Sequence, residues 1–248
     1  MIRNTEINVL STGAVQPGMV KVIDAFRHET GHEVKVVFAT APAILSRIDR
    51  ETPDIVIAPP AVLDELVKAG KVTPTDRVTV GRIGVGLMVR DGAPLPMIGT
   101  VEEFKQSLLT AKSVVYNQAS TGIYLEKLFE RLGIVEHLKT KTVRYPDAAA
   151  VLDHVCKGKG DEIGFGATTV IIEGESKGLK FVGPLPPEIQ NYTTYAAVLT
   201  AGSAQEAARE FVRFLTGPMA QKFFSAAGIQ SKERAHRCFS KRDIASFG

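Results

Sequence analysis

Short apolar strands alternate with amphipathic helices along nearly the whole chain, and this rhythm constrains the fold more than any other feature. Ile7–Leu10 reads as a buried strand. Ser11-Thr12-Gly13 and Gln16-Pro17-Gly18 follow as a loop. Met19, Val22, Ile23 and Phe26 then recur at i, i+3, i+4 and i+7, the stripe of an amphipathic helix. Gly31 stands where a helix end favours a left-handed residue. Val34, Val36 and Phe38 alternate in the next strand, Glu33–Phe38. The unit then repeats: Ala41, Ile44, Leu45 and Ile48 mark a helix, Asp54–Ala58 a strand, and Leu63, Leu66 and Val67 another helix. Strands and helices in this order imply parallel strands and a doubly wound α/β sheet.

Val80–Arg90 breaks the rhythm. It is strand-like, carries Gly81, Gly84 and Gly86, and is stopped by Asp91-Gly92-Ala93-Pro94-Leu95-Pro96. It reads as a crossover into a second lobe with its own alternation. Val101, Phe104 and Leu108 mark a helix, and Ser113–Tyr116 a strand. Leu125, Leu128, Phe129 and Leu132 mark a helix that stops at Gly133. Thr142-Val143, Glu162–Phe165 and Leu179–Val182 read as further strands, with a helix through Ala148, Val151, Leu152 and Val155. Tyr192–Thr200 reads as the return crossover, followed by helices with Ala208, Phe211, Val212 and Leu215, then Phe223, Phe224 and Ala227. The expected architecture is two doubly wound lobes joined by a two-strand hinge, with a ligand cleft between them. Residues 1–83 and 194–248 form lobe 1 and residues 84–193 lobe 2. The polar, basic tail after Gln230 is expected to be poorly ordered.

With 248 residues, 44% of them hydrophobic, the chain can bury a sizeable core. Its 30 basic and 27 acidic residues leave a net charge of +3, too little for a nucleic-acid partner. No apolar run reaches the roughly 18 residues that cross a bilayer, so no membrane insertion is expected. Cys156 and Cys238 have no zinc spacing, and free thiols are expected.

In open parallel sheets, ligands bind at the carboxyl ends of strands. Three such ends are rich in hydroxyls: Ser11-Thr12, Thr40-Ala41 and Ser120-Thr121-Gly122. Each leads into a helix, whose first turn exposes unpaired N–H groups and a positive dipole end. Hydroxyls beside such an end can hold an anion without a full counter-charge. Serine and threonine also serve there as plain helix caps. Arg82, on the first crossover, adds a guanidinium that suits a carboxylate.

The segments STGAVQPGMVKVIDAFRHETGHEVKVVFATAPAILSRI, PDIVIAPPAVLDELVKAGKV and SVVYNQASTGIYLEKLFERLGI resemble type II periplasmic binding proteins, and are most similar to the molybdate-binding components of ABC transporters. The likeness runs from about Glu6 to about Gly228. It implies two lobes that close over an oxyanion held by hydroxyls after the first and second strands and by amides of the second lobe. Ser11 and Thr12 match the first position, and Ser120-Thr121-Gly122-Ile123-Tyr124 fits the second lobe. Thr40 stands in a loop that is serine-rich in that family, where Pro42 removes an amide donor. This departure and Arg82 admit an organic acid in place of molybdate. A divergent subgroup of the same resemblance includes aconitate isomerase.

Two expectations follow. One is a monomeric solute-binding protein for a small anion, with an ABC-transporter permease as the partner the resemblance implies. Its ligand set is Ser11, Thr12, Thr40, Ala41, Arg82, Ser120, Thr121, Gly122, Tyr124 and Tyr145, with no cofactor and no metal. The other is an isomerase of an unsaturated tricarboxylate, with Tyr124, Tyr145 or Asp147 moving the proton and no catalytic residue assigned. Asp147 also reads as a helix cap. Met1–Thr5 runs into the first strand without a signal-peptide pattern, which leaves a periplasmic and a cytoplasmic location open. His28-Glu29-Thr30-Gly31-His32 matches H-E-x-x-H, but Gly31 ends the helix that zinc ligation needs. His137 and His154 read as surface histidines. Gly81, Gly84 and Gly86 lie inside a strand, so close backbone approach or hinge flexibility is expected rather than a dinucleotide loop.

Overall fold

The computed structural model describes residues 5–159, 161–203 and 206–231. Nine strands form one mixed sheet: β1 (Glu6–Thr12), β2 (Glu33–Ala39), β3 (Ile55–Ala58), β4 (Val78–Arg90), β5 (Ser113–Asn117), β6 (Thr142–Tyr145), β7 (Glu162–Ala167), β8 (Leu179–Pro184) and β9 (Tyr192–Leu199). The helices among the described residues are α1 (Gln16–Thr30), α2 (Ala41–Glu51), α3 (Pro60–Lys68), α4 (Val101–Thr110), α5 (Ser120–Arg131), α6 (Val135–Leu138), α7 (Ala148–Lys157), α8 (Thr168–Gly174), α9 (Glu206–Leu215) and α10 (Pro218–Ala226). The order across the sheet is β2-β1-β3-β9-β4-β7-β5-β6, with β8 on β4.

Two parallel sets, β2-β1-β3 and β6-β5-β7, flank the long antiparallel strands β4 and β9. The sheet is therefore mixed rather than parallel throughout, because the crossover strands run against both sets. β4 changes partners midway. Val78–Gly84 pairs with β9, and Val85–Arg90 with β7 and β8. Its core changes at the same point: Ile83 belongs to the core that holds Phe26 and Phe211, whereas Val85 belongs to the one that holds Phe104 and Phe165. The Gln190 side-chain amide holds this junction by bonding both the N–H and the carbonyl of Val85, each at 2.9 Å.

Each half buries apolar side chains on both sheet faces. In the first half, α1, α9 and α10 cover one face, and α2 and α3 the other. In the second, α4 and α5 cover one face, and α7 and α8 the other. Local signals set the helix ends. Gly31 adopts φ 75° and closes α1 with an N–H bond to the Arg27 carbonyl at 2.8 Å. Thr100 and Glu103 form a reciprocal capping box on α4. Asp147 caps α7 by accepting from the Ala150 N–H at 2.9 Å, the cap its position implies.

The crossover glycines are sites of close approach. A Cβ on Gly81 would stand 2.5 Å from Ile229 Cγ2, and one on Gly86 2.7 Å from the Phe181 ring. Ile229-Gln230 returns to β4 here: the Arg82 N–H donates to the Gln230 carbonyl at 2.8 Å, and the Gln230 N–H donates back at 2.9 Å. No described helix is long and apolar enough to cross a membrane. The tail beyond residue 231, and Cys238 with it, lies outside the described residues.

Candidate functional site

The carboxyl ends of the parallel strands hold the candidate residues, and the structure separates open groups from occupied ones. Thr12 ends β1. It is 5% exposed, and its Oγ1 has no hydrogen-bond partner. A buried, unpaired hydroxyl costs about 1–3 kcal/mol, so such groups are rare in folded chains. Ser11 is fully buried on the opposite face, and its hydroxyl donates to the Thr12 carbonyl at 3.2 Å. Ser11 thus supports the turn, while Thr12 carries the open hydroxyl.

Thr40 occupies the N-cap position of α2 without a side-chain cap bond. The first helical bond runs from the Ile44 N–H to the Thr40 carbonyl at 3.0 Å, so the Ala41 and Ala43 amides precede the ladder. Pro42 contributes no amide between them. α2 packs on the sheet face that carries Leu10, and Thr12 projects from that same face by strand alternation.

Arg82 joins this face. Ala196 and Val198 of β9 project there, hence Thr194 does too, and Arg82 lies opposite Thr194. β3 ends where Ala58 meets Ala196, so the Arg82–Thr194 pair extends beyond the carboxyl edge of β1 and β3. No described carboxylate lies within ion-pair distance of Arg82, and its Nε is buried without an acceptor. The guanidinium carbon sits 4.3 Å from the centre of the Tyr192 ring, a cation–π contact worth about 0.5–2 kcal/mol.

α5 starts at the carboxyl end of β5. Asn117 Oδ1 accepts from the Ala119 N–H at 3.0 Å and shapes the turn after β5. The first helical bond is from the Ile123 N–H to the Ala119 carbonyl at 3.0 Å, which leaves the Ser120, Thr121 and Gly122 amides ahead of the ladder. Gly122 is obligatory, because a Cβ there would lie 1.7 Å from the Asn117 carbonyl oxygen. Ser120 lies near enough to Tyr195 of the crossover to influence its phenol. Tyr195 projects from the face opposite Arg82 and is 5% exposed. Burial pushes its pKa up to about 12, and the Thr193 and Ser120 hydroxyls offset part of that rise.

Two expected donors are occupied. Tyr124 donates its hydroxyl to the Ile189 carbonyl at 2.5 Å. The Tyr145 hydroxyl is 2.8 Å from His154 Nδ1 on α7, so His154 is a packed partner rather than a free surface histidine. His28 is exposed at the end of α1. His32, past Gly31, is buried, with Nδ1 accepting from the Thr5 N–H at 3.3 Å. The two histidines of the H-E-x-x-H match therefore face different surroundings, and no cluster of metal-ligating side chains occurs among the described residues.

Three residues at this edge carried weaker sequence signals. Tyr192 and Tyr195 stand three apart in a crossover strand, which places them on opposite faces. Thr169 stands with Thr168 at the start of α8, directly after β7. It is fully buried, and its hydroxyl donates to the Ala14 carbonyl at 2.7 Å, tying the start of α8 to the turn after β1. A cavity of about 320 Å³ lined by Val89, Leu95, Ser107, Ala111, Asp161 and Ile163 lies at the opposite, amino-terminal edge of β5 and β7.

The model of the bacterial extracellular solute-binding proteins matches residues 7–230. The chain belongs to this family. It is 32% identical over 236 residues to an aconitate isomerase from a Pseudomonas species, covering 91% of this chain and 88% of that protein. Its fold matches the periplasmic molybdate-binding protein of Azotobacter vinelandii with a TM-score of 0.73 at 20% identity, over 90% of this chain and 98% of that one. It also matches L-phospholactate-bound PEB3, a protein solved too from Campylobacter jejuni, with a TM-score of 0.73 at 14% identity, over 91% and 99% of the two chains. These likenesses identify the architecture as the periplasmic-binding-protein fold.

Proposed function

We propose that this chain is a solute receptor that captures a small anion at the carboxyl edges of its two parallel strand sets. The buried, unpartnered Thr12 hydroxyl carries this reading. An anion there meets Thr12, Thr40 and the open amides of α2 on one side, and Ser120, Thr121 and the first turn of α5 on the other. Arg82 supplies the full positive charge. Residues 1–83 with 194–248 act as one lobe and 84–193 as the other, hinged where β4 exchanges partners between Gly84 and Val85. A ligand that contacts both lobes favours the closed state by its differential affinity. The protein acts as a monomer that delivers its ligand to an ABC-transporter permease.

The aconitate isomerase relative favours a second reading, because the identity spans both strand sets. In such a reaction a base removes an allylic proton, the double bond migrates, and a proton is returned to the far carbon. Tyr124, Tyr145 and Asp147 are held in internal hydrogen bonds, so the binding reading stands first.

The test is a thermal-shift panel of molybdate, tungstate, sulfate, citrate and trans-aconitate, run beside an assay of cis/trans-aconitate interconversion. A ligand at a hundredfold excess over its Kd stabilises by about 2.7 kcal/mol, which for a chain of this size is about 5–10 °C. The receptor reading expects such a shift without turnover, with the shift cut to about half or less in Thr12→Val and Arg82→Ala. Interconversion at enzymatic rates replaces it with the isomerase reading. No shift with any anion removes both.

A further inference from the structure

We propose that Tyr192 is a positioning residue that presents the Arg82 guanidinium edge-on to a planar carboxylate of the ligand. The inference rests on the anion-receptor reading and selects a carboxylate over a tetrahedral oxyanion.

Several observations converge. The Arg82 backbone is fixed on both sides, by Thr194 of β9 and by reciprocal bonds to Gln230 at 2.8 and 2.9 Å. Only the side chain is left to choose a direction. The guanidinium carbon lies over the Tyr192 ring, 4.3 Å from its centroid. Gly84 gives the ring room: a Cβ at that position would stand 3.2 Å from Tyr192 Cε1 and 3.4 Å from the Gln190 amide, close enough to push them by a few tenths of an ångström. Gly84, Tyr192 and Arg82 therefore form one packed unit on the crossover.

A guanidinium stacked by one face keeps its in-plane N–H groups available. In this protein none of them meets a described carboxylate, and Nε is buried without an acceptor. A buried cationic donor without an acceptor is costly, and a bidentate carboxylate satisfies it with two parallel bonds in the guanidinium plane. Molybdate and sulfate present oxygens tetrahedrally and gain less from a fixed plane. Stacking also lowers the entropy lost when the ligand orders the side chain. Tyr192 is 39% exposed, so its position serves the arginine more than the core.

The experiment compares wild type, Tyr192→Ala and Tyr192→Phe by isothermal titration with citrate, trans-aconitate and molybdate, and records the Arg82 Nε–Hε resonance without ligand. Tyr192→Ala is expected to weaken citrate and trans-aconitate roughly three- to tenfold, the range of a stacking contact. Tyr192→Phe is expected to restore the affinity, because the ring rather than the hydroxyl acts. Molybdate binding, if present, should move less than twofold. The Hε resonance should lose its ring-current shift in the alanine variant and keep it in the phenylalanine variant. Equal weakening of carboxylates and molybdate, or unchanged carboxylate affinity in Tyr192→Ala, overturns this inference and leaves the anion receptor standing. A wild type that binds none of the three overturns both.

Discussion

The ends of β1 and β6 both lie at the carboxyl edges of the two parallel strand sets, one on a central strand and one on an edge strand, and they are finished in opposite ways. At the end of β6 the Tyr145 hydroxyl has His154, the Tyr145 carbonyl accepts from the Gln118 N–H, and Asp147 caps α7. At the end of β1 the Thr12 hydroxyl is buried with nothing to bond. A strand end that needs only to stop can satisfy all its groups internally. One that must receive a ligand leaves a donor open and bears the cost in the free protein. On the proposed reading the closed end is part of the scaffold and the open end belongs to the site.

The largest effect expected from disturbing this contrast is at the third such place, the end of β5. Gly122→Ala puts a methyl group into the Asn117 carbonyl, which is backbone and cannot swing away. It should cost at least about 3 kcal/mol, read as a lower urea midpoint, and it should disorder the first turn of α5. A midpoint within error of wild type would show that α5 can lift off β5, and that its amides are not fixed.

Tyr195 gives the next effect, through pH. Its folded pKa of about 12 lies above the ordinary phenol value of 10.0. A phenol raised in this way contributes stability that is intact below about pH 10 and is lost as pH climbs toward about 12, because the unfolded chain releases the proton first. The loss amounts to about 3 kcal/mol across that window. Denaturation of Tyr195→Phe between pH 9 and 12 should show a flatter alkaline limb. An unchanged limb would place Tyr195 in a wetter setting than its burial implies.

Much of the fold was legible in the residues, and much of the site was not. Periodicity marked β1 through β5 and α1 through α5, because each buries a long enough stripe. α8 was invisible: its seven residues span barely two turns, too few for a helical period to register. α6, with four, fails for the same reason. Hydroxyl-rich strand ends pointed to Thr12, Thr40 and Ser120. Sequence does not reveal which way a side chain turns at the last residue of a strand. Tyr145 turns onto α7 and Tyr124 reaches the Ile189 carbonyl, 65 positions away. Ser11 and Thr12 differ in role only because adjacent strand residues face opposite sides.

Removing the closed end's bond is a smaller test. Tyr145→Phe deletes one hydrogen bond between packed partners and should cost about 1 kcal/mol in urea denaturation. It should leave the anion-induced thermal shift unchanged. A loss of that shift would return Tyr145 to the ligand set and erase the distinction between the two ends.

Thr12→Val is the smallest perturbation of stability and the sharpest discriminator. The two side chains have nearly the same shape, so packing around β1 is preserved and only the hydroxyl is lost. For an ordinary buried threonine with a partner, that loss destabilises. Here no partner exists, so deletion relieves an unpaired polar atom and should leave the free protein unchanged or more stable by up to about 1 kcal/mol. The same change should weaken anion binding at least about tenfold, since a hydrogen bond to a charged ligand contributes about 1.5–3 kcal/mol. Stability and binding then move in opposite directions, which packing alone cannot produce. A valine variant that is destabilised yet binds normally would mean that Thr12 finds its partner within the chain, and that the β1 end is closed like that of β6.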